Sequence, residues 1–338
     1  MSLPTIASLW IGGRLSWLEQ LCLVSFAHAG HRTVLYSYEP IPNLPEGVEA
    51  ADAAELLPAE PMLRHARTGS PAIHADLWRL NLLAKSDAIW VDADMYCHRP
   101  FAFDAPHVYG WEKPGLVCNA VLGLPRDSAA LSLLLEFFED PYAIGPWLKP
   151  WQQRELQAEK DAGRPVHMTE QSWGFTGPAA VTWALQQTGE IAHARPEAAF
   201  YPVSFPDRNL MIKPRRAAEM VFGDDTFGIH FWARRMKPRI EEAEGGAPRK
   251  GSFMAGLIER HGIVPEDAPI PPKVKRITDE MRDPAFMARV ALAALRHDVS
   301  SEKIARDHGV EKRFVKDCAA RLEAAAEGVF EADPVTLK

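Results

Sequence analysis

The segment Ala88-Ile89-Trp90-Val91-Asp92-Ala93-Asp94 constrains this chain most. Its short apolar run reads as a buried strand. The run ends in two carboxylates spaced by one residue. Side chains at i and i+2 of a strand share a face, so a strand continued through Asp94 brings Asp92 and Asp94 together. In open α/β sheets, ligands bind at that carboxyl end. Two like charges side by side on an apolar scaffold repel and need a compensating cation. Oxygen ligands suit a hard divalent ion, Mn²⁺ or Mg²⁺, which usually bridges to phosphates.

The flanking sequence predicts an α/β fold. Thr5 to Ile11 is an apolar run, followed by the turn Gly12-Gly13-Arg14. Ser16-Trp17-Leu18-Glu19 fits a capping box, and Leu18, Leu21, Cys22, Ser25 and Phe26 then recur at helical spacing. Gly30 ends that helix, and Thr33 to Tyr38 alternates as a second strand. Strands joined through a short helix usually build a parallel sheet. Gly12-Gly13 does not form G-x-G-x-x-G, so it does not indicate NAD. Prolines 40, 42, 45, 58 and 61 punctuate an irregular stretch. His74 to Lys85 reads as a helix, Leu116 to Leu124 as a strand and Ala129 to Phe138 as a helix. Residues 141–175 are irregular, with an exposed helix over Gln152 to Lys160. Gly177 to Thr188 reads as a helix and Phe227 to Trp232 as a late strand. Residues 1–240 are thus expected to form the principal domain, 241–272 a linker and 273–338 a small all-helical appendage.

With 338 residues, nearly half of them apolar, the chain can bury a large core. Its net charge of −7 argues against a surface built throughout for nucleic acid. The start lacks a basic segment with a long apolar run, and no stretch is apolar enough to span a bilayer. The four cysteines form no C-x-x-C pair. A cytoplasmic protein with buried or free thiols is the expectation.

Several separated pieces occur in one order. Leu9-Trp10-Ile11 precedes Leu18 to Leu23, Gly30-His31 and Leu35 to Pro40. Ala75-Asp76-Leu77-Trp78-Arg79 and Trp90 to Asp94 follow. Arg99-Pro100-Phe101, Asn119 to Gly123, Thr176-Gly177-Pro178 and His230-Phe231-Trp232 complete the set. Over roughly residues 5–235 the chain resembles the GT32-like glycosyltransferases whose sugar-binding region contains a DXD motif. More distantly, it resembles the clostridial toxin glucosyltransferases. The resemblance implies a GT-A (Rossmann-like) mixed sheet flanked by helices, a nucleotide-sugar donor and transfer with retention. It implies a glycan, polysaccharide or lipopolysaccharide acceptor.

The resemblance also implies roles. Asp94 would ligate the metal, and Asp92 would reach the ribose or the metal through water. Asp76 and Arg79, three apart on one helix face, would hold donor-sugar hydroxyls and the neighbouring phosphate. His230 would ligate metal or diphosphate, with Trp232 as a wall beside it. Trp10 would stack on the base, and Asn119 would contact the donor sugar. Trp147, Trp151 and Trp173 lie where an acceptor could bind. Two departures stand out. Lys85-Ser86-Asp87-Ala88 replaces the Gly-Gly common before the acidic strand. No residue is evident as a nucleophile, although Glu112 and Glu170 are available carboxylates.

Near the C-terminus, Ser300 to Val310 followed by Lys312 to Leu322 resembles a helix-turn-helix, with Gly309-Val310 at the turn. From Lys273 to Arg321 there are twelve basic and eight acidic residues. Lys312, Arg313 and Lys316 lie on its second helix. An alternative reading is therefore a degenerate transferase domain acting as a DNA-binding or regulatory protein.

Overall fold

The computed structural model describes residues 3–271, 283–296, 299–308, 310 and 312–332. The chain divides into two compact units, Met1–Pro272 and Lys273–Lys338. The first is built on a six-stranded mixed sheet in the order β3-β2-β1-β4-β7-β6. Its strands are β1 (Ile6–Trp10), β2 (Thr33–Ser37), β3 (Val48–Asp52), β4 (Ile89–Val91), β6 (Val108–Lys113) and β7 (Leu116–Gly123). The pairs β1–β2, β2–β3 and β1–β4 are parallel; β4–β7 and β6–β7 are antiparallel. A second, two-stranded sheet pairs β5 (Met95–Cys97) with β8 (Gly228–His230). The expected α/β class is what is found. β3 lies in the proline-punctuated stretch read from sequence as irregular.

Strand alternation sorts the core onto two faces of the sheet. Ala7, Leu9, Trp90 and Leu122 pack with Trp78, Leu82, Leu131 and Leu185. These come from α2 (Ala72–Lys85), α3 (Ala129–Phe137) and α5 (Pro178–Thr188). Ile6, Ile89, Val91 and Val121 face the other way, onto Phe26, Phe101 and Phe200. Phe26 belongs to α1 (Trp17–His28), which is apolar nearly all round and is buried accordingly. Its capping box forms as expected: the Glu19 carboxylate accepts from the Ser16 backbone N–H at 3.0 Å and from its hydroxyl at 2.7 Å. The exposed helix in the 141–175 stretch is α4 (Pro150–Asp161).

Residues 241–272 are not a bare connection. α6 (Ala233–Glu244) crosses their start, and α7 (Phe253–His261) follows. Met236, Ile240, Met254, Leu257, Ile258, Ala268 and Ile270 complete a core with Trp17, Leu21, Ile229 and Phe231. The Gly-rich composition there serves left-handed turns at Gly245, Gly246 and Gly251. The second unit holds α8 (Pro284–Leu295), α9 (Ser301–Asp307) and α10 (Lys312–Ala332) around Phe286, Val290, Ile304, Val315 and Cys318. Gly309 and the side chains of Lys312 and Arg313 lie outside the described residues, so the turn expected there has no structural counterpart to report. All four cysteines are free and buried. Among the described residues, no helix is long and apolar enough to cross a membrane.

Candidate metal and donor site

β4 ends at Val91, and the acids do not continue the strand. The Met95 N–H donates to the Asp92 carbonyl at 2.9 Å, closing a turn over Asp92–Met95. The turn, rather than strand alternation, brings the carboxylates together. β5 then pairs antiparallel with β8 in the register Met95↔His230. The Phe231 N–H donates to the Asp94 carbonyl at 2.9 Å. This pairing sets His230 beside Asp94 across 136 residues of sequence. One ligand atom from each of Asp92, Asp94 and His230 lies within 4.8 Å of the others.

The two acids are compensated differently. Asp92 Oδ1 accepts from the Arg79 guanidinium at 3.2 Å and the Trp90 indole at 2.9 Å. Asp94 Oδ1 is 3.2 Å from His230 Nε2, and its Oδ2 accepts the Ala233 N–H at 2.7 Å. That N–H opens α6, so a carboxylate meets the positive end of a helix dipole. Burial pushes Asp92 above the ordinary carboxylate range, and Arg79 does not fully offset it. Burial also opposes ionisation of Asp94, but His230, Ala233 and Lys237 outweigh it and hold Asp94 below that range. Burial alone would lower His230. The charges of Asp94, Asp92 and Glu112, with the Asp94 hydrogen bond, instead raise it. His230 Nδ1 is buried and has no hydrogen-bond partner among the described residues. His230 Nε2, the ring nitrogen that faces Asp94, and the two carboxylates form a donor set that fits a metal ion.

A second cluster adjoins the first. Asp76 accepts from Asn119 Nδ2 at 3.1 Å and from the Thr176 hydroxyl at 2.7 Å. Arg79 pairs with Asp76 at 3.3 Å and donates to the Asn119 carbonyl. Its guanidinium lies 4.5 Å from the Trp90 ring centre. Arg79 therefore ties Asp76, Asp92 and Asn119 into one network. Burial raises Asp76 despite Arg79, Thr176 and Asn119. Thr176 comes from the turn before Gly177; a Cβ on Gly177 would approach Asp76 Oδ2 to 3.9 Å.

Trp10 ends β1, with its indole N–H on the Gly13 carbonyl at 2.9 Å. Lys237 Nζ lies 5.4 Å over its ring and also pairs with Glu19. Trp232 does not extend the late strand. It adopts a left-handed backbone with φ 55° and caps α6. Its ring nevertheless lies 4.1 Å from that of His230, and its indole N–H donates to the Val203 carbonyl. Glu112 is half-buried and acts by charge on His230. Glu170 is exposed and accepts the His167 N–H instead. A cavity of about 540 Å³ lies on α4 and its approach, lined by Ile144, Pro146, Pro150, Gln153, Arg154 and Gln157. None of the site acids borders it.

Thr176, Lys237 and the Ala233 N–H were not among the residues expected at the site. Thr176 stood in the ordered motif set, but a backbone N–H leaves no trace in side-chain identity.

No family model matches the chain, and no curated protein matches it. Among solved structures, it is similar to one described as PaToxG Glycosyltransferase. The sequence identity is 16% and the TM-score 0.35, covering 55% of this chain and 69% of that one.

Proposed function

We propose that this protein is a metal-dependent glycosyltransferase of GT-A type that uses a nucleoside-diphosphate sugar. The observation that carries the reading is the convergence of Asp92, Asp94 and His230, with ligand atoms within 4.8 Å, at the carboxyl end of a central strand. The adjoining Asp76–Arg79–Asn119–Thr176 network supports it. Two carboxylates and an imidazole suit Mn²⁺ better than Mg²⁺, because imidazole is a softer ligand than oxygen. The bound cation supplies Lewis-acid neutralisation of the departing diphosphate.

The remaining roles fall to the chain's own groups. Trp10, at the end of β1, offers an indole face to the base. Asp76 and Asn119 accept and donate hydrogen bonds to sugar hydroxyls. Arg79 holds both acids in place and adds positive charge beside the diphosphate. Trp232 walls the metal side. Without an evident nucleophile, retention follows if the acceptor attacks on the face the diphosphate leaves. The acceptor is a glycan, polysaccharide or lipopolysaccharide.

The test is release of nucleoside diphosphate from a panel of nucleotide sugars, with Mn²⁺ and with excess chelator. Release from one donor, present only with metal and absent in Asp94→Ala, is the expected result. No release and no binding of any nucleotide sugar by the metal-loaded protein would sink the proposal.

A further inference from the structure

α6 runs against its own dipole. Arg234, Arg235 and Lys237 occupy its first half, Arg239 lies just past the middle, and Glu241, Glu242 and Glu244 form its end. A helix N-terminus favours anions and disfavours cations. Lys237 is paired with Glu19. Arg234 and Arg235 are exposed, and neither has a carboxylate partner among the described residues. This basic cluster lies in a chain whose net charge is −7.

Arg234 is laid over Trp173, with its guanidinium carbon 3.7 Å from the ring centre. His65 meets the same indole edge-on at 5.4 Å, and Trp173 remains 37% exposed. Connectivity fixes where this pair lies. Arg234 follows Ala233, whose N–H is bonded to Asp94. Trp173 precedes by three residues Thr176, whose hydroxyl is bonded to Asp76. The stack therefore links the start of α6, which holds Asp94, to the segment leading into Thr176, which holds Asp76. Lys237 and Trp10 make the matching cation–aromatic contact toward the nucleotide side.

Resting on the donor-site reading above, we propose that Arg234, Arg235 and Trp173 form an acceptor subsite selecting a glycan that carries an anionic group. The indole takes the apolar C–H face of a sugar ring. The Arg234 guanidinium binds a carboxylate or phosphate through paired N–H donors, a geometry Lys does not reproduce, and Arg235 adds positive charge beside it. Arg234 covers the indole until the sugar takes that face, then turns to the anion.

The test is calorimetric binding of three oligosaccharides to the full chain: an oligogalacturonate, a phosphorylated oligomannose and a neutral malto-oligosaccharide. Each is run on wild type, Arg234→Gln/Arg235→Gln and Trp173→Ala. A nucleoside-diphosphate thermal shift with Mn²⁺ is recorded on every variant. One acidic oligosaccharide should bind at least about ten-fold more tightly than the neutral one. The double variant should lose that preference and keep its nucleotide shift, and Trp173→Ala should weaken all sugars that bind. The stronger of the two acidic ligands identifies carboxylate or phosphate as the recognised group. The inference is overturned by equal binding of neutral and acidic sugars, by an acidic preference that survives the double variant, or by no oligosaccharide binding while the nucleotide shift is intact. Loss of the nucleotide shift in wild type would count instead against the donor site.

Discussion

Asp94→Asn tests the metal site most directly. The substitution keeps the side chain's size and one oxygen for the Ala233 N–H, and removes one charge. Site ligand atoms lie within 4.8 Å of one another. At an effective dielectric of ~20, two carboxylates at that spacing repel by about 3 kcal/mol. A protonated His230 at 3.2 Å attracts Asp94 by about 5 kcal/mol on the same scale. Asp92, Asp94 and neutral His230 would hold a divalent cation, whose charge would take the place of that proton. Metal at a hundred-fold excess over its dissociation constant stabilises the native state by about 2.7 kcal/mol. Unfolding entropy of about 2.1 cal/mol/K per residue makes this a shift of about 5 °C for the unit Met1–Pro272. Neutralising one of the two carboxylates should weaken Mn²⁺ by about a hundred-fold or more, since even outer partners of metal ligands contribute 10–100-fold. The same metal concentration should then shift the variant by less than about 1 °C. Scanning fluorimetry across a Mn²⁺ titration reads both values. A variant that kept the full shift, or a wild type unmoved by millimolar Mn²⁺, would refute the reasoning.

Three further outcomes follow from the geometry. Thr176→Val removes the 2.7 Å hydroxyl donor to buried Asp76 and should cost about 1.5–3 kcal/mol in urea unfolding; an unchanged midpoint would assign that hydrogen bond no weight. Glu190 accepts from the Ser128 hydroxyl, the Ala130 N–H and His107, docking the start of α3. Burial opposes its ionisation, but these donors outweigh it and lower its folded pKa. Its stabilisation is therefore full above the unfolded carboxylate pKa and is lost as pH falls through the lower folded value. Glu190→Gln should cost about 1–2 kcal/mol at pH 7 and converge with wild type in acid; a constant difference across pH would contradict this. A Cβ on Gly228 would meet Met95 Sδ at 2.8 Å, so Gly228→Ala should spread β5 from β8 and cost about 1–3 kcal/mol. It should also weaken Mn²⁺ binding, and unaltered metal affinity would show that the pairing does not set the site.

Local signals carried the fold well. The Ser16–Glu19 box, the helix through Asp76 and Arg79 and the strand ending at Val91 all follow from patterns a few residues long. The site was legible only as residue types. His230 reaches Asp94 through a pairing 136 residues apart, and a three-residue strand such as β5 or β8 leaves little periodicity to read. The sequence does not distinguish the turn at Asp92–Met95 from a continued strand, because alternation and a tight turn can both bring neighbouring carboxylates together. The glycines and charges of 241–272 give that stretch the composition of a linker. Its apolar residues, spread over α6, α7 and the segment after them, form no single run.

The two carboxylates belong to different parts of the framework, and that division has a consequence. Asp92 is held from α2 by Arg79 and from β4 by Trp90. Asp94 is held from β8 and the start of α6 by His230 and Ala233. Arg79 links Asp76 and Asn119 to the first set of contacts, and the hydrogen bonds of Asn119 and Thr176 to Asp76 involve none of the second. A disturbance of β8 or α6 therefore separates the candidate metal ligands while leaving the Asp76 network in place. A disturbance of α2 strikes both, because Arg79 touches Asp76 and Asp92 together. Metal affinity and the integrity of the Asp76 network should part company in variants of the β8–α6 segment and fail together in variants of Arg79. This asymmetry arises because a local turn joins acids that two distant elements must stabilise.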